Sequence, residues 1–127
     1  MHIEALRVLG QTKAAVFKGI GGEAQRNPYK ASTVAILSGS TPDEEEWPAL
    51  IDGAAFLWRE EDLTPELVAK LWRGEIDHPA AEASIIATAA IALKGLDGAC
   101  TQEEAMVSAR ALWRRHCDRP MQERALA

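Results

Sequence analysis

Cysteine is nearly missing from this sequence: two residues in 127, Cys100 and Cys117, with no C-x-x-C spacing. That excludes a disulfide-dense scaffold and a zinc ribbon, and it suits a reducing compartment. Positive charge is also short, with 14 Lys+Arg against 19 Asp+Glu and a net charge of -5. The chain as a whole therefore lacks the electropositive footprint of phosphate-driven nucleic-acid binding, and any such role must rest on a local basic patch. No apolar run reaches the ~20 residues of a membrane-spanning helix. The longest, residues 80–93, is interrupted by Glu82, Ser84 and Thr88 and reads as a buried helix, so no membrane association is expected. The opening Met1-His2-Ile3-Glu4-Ala5-Leu6-Arg7 has no basic start followed by an apolar stretch. No export signal is read there, and the cytoplasm is the expected compartment. There is no internal repeat and no low-complexity tract, and 127 residues with 47% hydrophobic side chains fit one domain.

Charge is nevertheless uneven. Residues 43–62 hold eight acids and one base, while residues 105–127 hold five arginines and two acids. Solvated faces are the ordinary reading of such runs.

Local signals divide the chain into a short helix, a small set of strands and three further helices. Ile3, Leu6 and Leu9 share one helical face, with Gly10 as a stop. Ala14-Ala15-Val16-Phe17 and Thr33-Val34-Ala35-Ile36-Leu37 are short apolar runs bounded by turn formers, and both read as strands. Between them, the three glycines and Pro28 of residues 19–28 make a loop. From 41 to 62 no period emerges apart from a short strand at Ala55-Phe56-Leu57. Then Thr64-Pro65 opens a helix with Leu67, Val68, Leu71 and Trp72 on its apolar face and Gly74 behind it. Asp77 or His78 caps the next before Pro79. Its interior mixes Ile85, Ile86 and Ile91 with alanines on every side, so it is expected to sit centrally, ending at Lys94-Gly95. Thr101-Gln102-Glu103-Glu104 is a capping box ahead of Ala105, Met106, Ala109, Leu112 and Trp113 at helical spacing. Residues 118–127 are expected to fray.

Few constellations carry chemistry. Gly19-x-Gly21-x-x-Ala24 follows a strand and formally matches a dinucleotide fingerprint, but Pro28 leaves no room for the helix that fingerprint opens. A glycine-rich turn holding an anion with its amides remains. His116 and Cys117 with Cys100 lack a third ligand at recognisable spacing, and His78 lacks a carboxylate partner. Trp72 and Trp113 lie on apolar faces and read as core, whereas Trp47 and Trp58 stay open for base stacking.

Taken in order, Glu4-Ala5-Leu6-Arg7-Val8-Leu9-Gly10, the strand and turn at 14–27, Glu44-Glu45-Glu46-Trp47-Pro48, Leu71-Trp72-Arg73-Gly74-Glu75 and Ala87-Thr88-Ala89-Ala90-Ile91-Ala92-Leu93 resemble the C-terminal part of an anthranilate phosphoribosyltransferase-like protein. The resemblance spans nearly the whole chain. It implies an α/β fold like the C-terminal part of the phosphoribosyltransferase and nucleoside phosphorylase catalytic domain. Relatives that transfer a phosphoribosyl group carry His-Gly and then Gly-Leu-Asp-Glu after this strand, the acids holding magnesium. Here Lys18-Gly19 stands for the first, and Gly22-Glu23-Ala24-Gln25 for the second. Glu23 is then a vestigial metal residue, and Gly22-Glu23-x-x-Arg26-Asn27-Pro28 resembles the loop of a divergent branch. The resemblance implies Lys18, Gly19, Gly21, Gly22, Arg26 and Asn27 as ligand-binding residues. It implies no catalytic residue, and no cofactor for the chain alone, with magnesium only if a complete phosphoribosyl diphosphate site is assembled.

The main phosphoribosyl diphosphate loop of that family and its N-terminal helical domain have no counterpart in these residues. The start at Met1 fits a split gene, a truncation or an excised fragment. The expected function is therefore that of a transferase-like piece, inactive alone, that associates with a complementary N-terminal half or with itself. The alternative is a small phosphate- or nucleic-acid-binding module using the loop at 19–27.

Overall fold

A computed structural model of the chain describes residues 2–19, 24–52 and 64–119. Among the described residues four helices and three strands follow in the order α1 (His2–Val8), β1 (Lys13–Phe17), β2 (Ser32–Ser38), β3 (Thr41–Trp47), α2 (Pro65–Trp72), α3 (Pro79–Leu96) and α4 (Gln102–Cys117). The fold is α/β, with an antiparallel sheet in the order β1-β2-β3. Ala15 faces Ile36 across the first pair, and Ser38 faces Thr41 at the end of the second. Gly39 permits that tight reversal because it takes φ +70°, a backbone angle a side chain resists.

Central β2 supplies Val34 and Ile36 to the core, which continues through Ile86, Ala90 and Ile91 of α3 and Ala105, Ala109 and Trp113 of α4. Small residues let the layers approach closely. At Gly95 an added Cβ would stand 3.0 Å from the Ala15 Cβ, so α3 lies almost on the backbone of β1. Each later helix starts on its expected cap. Thr64 Oγ1 accepts from Leu67 N, and His78 Nδ1 accepts from Ala81 N. Thr101 and Glu104 exchange both bonds of the capping box.

Among the described residues α3 alone has the length and apolar composition of a membrane-crossing helix, with a mean hydropathy of 1.3. Its isoleucines 86 and 91 are buried in the core, and its Lys94 is ion-paired to β3, as suits the central helix of a packed domain. It is not covered all round, however: Ala92 and Leu96 face outward.

Three expectations are corrected. Residues 41–47 form a strand although acids and Pro42 obscure any period, because an edge strand keeps one side in water and there tolerates residues that central strands exclude. Trp47 is 1% exposed, so it is not open for base stacking. Trp72 is 41% exposed, not core. With Leu71 turned inward, its neighbour is rotated onto the surface, where its ring leans on His116 at 4.1 Å and Trp113 at 6.1 Å between centroids. The strand expected at Ala55-Phe56-Leu57, Trp58 and residues 120–127 lie outside the described residues.

Candidate functional site

Two features stand out once the elements are placed: the anchored base of the glycine-rich loop, and the unequal edges of the sheet. At the loop base Arg26 is buried, 1% exposed. One terminal nitrogen (Nη2) donates to the backbone carbonyls of Trp47, at 2.9 Å, and of Pro48. The guanidinium carbon lies 5.6 Å from the centre of the Trp47 ring. Its Nε has no hydrogen-bond partner among the described residues. Burial pulls the guanidinium pKa below its usual value.

Backbone groups of the same residue are held by α3. Arg26 N donates to Thr88 Oγ1 at 2.9 Å, and Ser84 Oγ donates to Arg26 O at 3.0 Å. Asn27 closes a local turn, its Oδ1 accepting from Tyr29 N. Pro28 O receives Leu50 N and Ile51 N. The loop base is thus riveted between α3 and the segment that leaves β3.

A second rivet joins β3 to the α3–α4 turn. Lys94, also buried, sets its Nζ 3.0 Å from Glu45 Oε1 and donates to the carbonyls of Gly98 and Cys100. Gln102 Nε2 reaches Glu45 Oε2 and Glu46 O from α4. Cys100 sits beside this group. Burial, then Asp97, with smaller contributions from Glu104 and Glu45, pushes its thiol pKa up against the opposing effect of Lys94. A shallow pocket of about 240 Å³ opens between Leu50, Pro79, Ile86 and Arg110. Glu82 lines it, but its carboxylate already accepts from His78 N and Trp113 Nε1.

Of the ligand residues expected from sequence, Lys18 is exposed, Gly19 and Asn27 are half-buried, and Gly21, Gly22 and Glu23 lie outside the described residues. Arg26 does not stand with Lys18 in an open basic cluster, since its guanidinium is turned onto two carbonyls. Ala24, Gln25, Arg26 and Asn27 contain no carboxylate, so the described part of the loop does not fit a magnesium ion. Among the described residues no group of three or more His, Cys, Asp or Glu side chains could hold a metal. Sequence reasoning missed Lys94, Glu45, Ser84 and Thr88. The one signal available was that both hydroxyls and the lysine interrupt an otherwise apolar helix, where polar side chains require partners.

The sheet's two edges differ in chemistry. Neither β1 nor β3 has a second strand beside it among the described residues. β3 is protected by Pro42 and by the exposed charges of Asp43, Glu44 and Glu46. β1 has neither device after Lys13: it runs Ala14-Ala15-Val16-Phe17, with no charge and no proline, and all four residues are half-buried. A strand with one face packed and the other in water buries alternate residues, as β2 does more nearly; β1 does not alternate, both of its faces being partly covered. No family model matches this chain, and searches of curated proteins and of solved structures find no significant match.

Proposed function

We propose that the chain is an association module, a phosphoribosyltransferase-like C-terminal piece that works by docking a complementary chain along the outer edge of β1. The observation that carries this reading is that β1 ends the sheet with no charge and no proline after Lys13, while the β3 edge is guarded by acids and proline. Apolar surface elsewhere supports it: Val8 at the end of α1, Leu9 just after it and Leu96 at the end of α3 are 76%, 75% and 64% exposed. The phosphate-binding alternative draws less support, because its strongest candidate ligand, Arg26, is occupied within the core.

The test mixes the full chain with the N-terminal portion of an anthranilate phosphoribosyltransferase-like protein, the half that carries the glycine-rich phosphoribosyl diphosphate loop. Light scattering should detect a 1:1 complex, and with anthranilate as acceptor the phosphoribosyl group should be transferred, with release of diphosphate, only in the mixture. A chain that never associates with that half, or that consumes phosphoribosyl diphosphate alone, overturns the proposal.

A further inference from the structure

The outward face of α4 is the surface that neither the core nor the β1 edge uses. Ala105, Ala109 and Trp113 point inward. At 100° per residue the opposite face carries Glu103, Glu104, Val107, Ala111, Arg114 and Arg115, all exposed. Its chemistry is ordered along the axis, with two acids in the first turn, Val107 (62% exposed) and Ala111 in the middle, and two arginines in the last turn. Glu103, Arg114 and Arg115 form no ion pair among the described residues. The helix dipole by itself favours acids at the start and bases at the end. It does not account for an apolar patch at the midpoint between them.

We infer that this face pairs with the same face of a second copy of the chain, antiparallel, about a two-fold axis midway between Val107 and Ala111. Residue numbers then match symmetrically. Glu103 meets the second copy's Arg114, Glu104 meets its Arg115, and Val107 packs on its Ala111, each contact occurring twice as an isologous interface requires. The acids and arginines are separated by 11 residues, about 17 Å along the axis at 1.5 Å per residue, so both ends engage together. Ala111 lets the helices approach closely at the crossing. A parallel pairing would set Glu103 on Glu103 and Arg114 on Arg114, so charge selects the antiparallel arrangement. One helix pair lies at the small end of stable interfaces, which makes this a weak, concentration-dependent dimer. The inference is independent of the docking proposed for β1.

Charge reversal tests it. Sedimentation velocity on the full chain from about 10 to 1000 µM, a range chosen for a small interface, should show wild type passing from monomer to dimer. Glu103→Arg alone and Arg114→Glu alone should each stay monomeric, because each sets like charges together at both ends. A 1:1 mixture of the two should dimerise again, since every 103–114 contact then joins opposite charges. Val107→Ser, which leaves charges and caps intact, should abolish the dimer too, and thermal melts should show all three variants folded. A wild type monomeric throughout the range, reversals that still dimerise separately, or a mixture that stays monomeric would each overturn the inference. None of these outcomes touches the β1 docking, which is read with the complementary chain.

Discussion

Arg26→Ala should be among the most destabilising single substitutions in the protein. It removes charge-assisted bonds to the carbonyls of Trp47 and Pro48, and the carbonyl of Trp47 is left in the interior without that donor. Bonds to a charged group contribute about 1.5–3 kcal/mol each. Stacking on Trp47 adds about 0.5–1 kcal/mol, and the buried methylenes about 0.8 kcal/mol apiece. Against this stands the cost of keeping a guanidinium out of water, including the unpartnered Nε, which removal relieves. The net expectation is a loss of about 3–5 kcal/mol for Arg26→Ala and about 2 kcal/mol for Arg26→Met, which keeps the packing. Urea unfolding followed by tryptophan fluorescence measures both, with Trp47 in contact with the mutated side chain. Arg26→Ala within about 0.5 kcal/mol of wild type, the ordinary range of a surface substitution, would refute the reasoning. So would a phosphate-induced rise in the wild-type midpoint that the substitution removes, since it would show a guanidinium free to hold anions.

Lys94→Met should lower stability by about 3 kcal/mol, because Glu45 and two carbonyls lose a buried cationic partner; the additional substitution Glu45→Leu should recover part of that loss in the same urea assay. Gly95→Val should cost about 2–3 kcal/mol by forcing α3 away from Ala15, read as a fall in thermal midpoint. For Cys100, burial raises the folded-state thiol pKa above its unfolded value. Its contribution is therefore fully present below the unfolded pKa and is lost as pH rises through the folded pKa. Iodoacetamide should accordingly modify Cys100 more slowly in the native chain than in urea at pH 8, and equal rates would contradict the assignment.

Helix starts were legible because caps are local chemistry: Thr64, His78 and Thr101 each bind an amide within three residues of themselves. β3 was harder to read because acids are depleted in central strands, while Gly39-Ser40 between two extended runs was the hairpin signal that could have placed it. The two buried cations show a different limit. Arg26 beside glycines and Asn27 looks like an anion ligand in sequence, and its partners lie about twenty residues away at Trp47 and Pro48. Lys94 at a helix end looks like a dipole complement, and only the tertiary fold brings Glu45 to it. Trp47 and Trp72 exchanged their expected roles for the same reason. Burial of a tryptophan depends on what crosses it: β3 carries no period, and the helical period of α2 puts Leu71 and Trp72 on one face without showing which of the two turns inward.

Amide hydrogen exchange on Lys13–Phe17 in the full chain, with and without the complementary N-terminal portion, tests the docking proposed for β1. In the free chain, β1 amides directed away from β2 should exchange much faster than those of β2, and the partner should slow the outward set while leaving β3 unchanged. Uniform protection of β1 in the free chain, or binding of the partner with no change in β1 exchange, would contradict that docking.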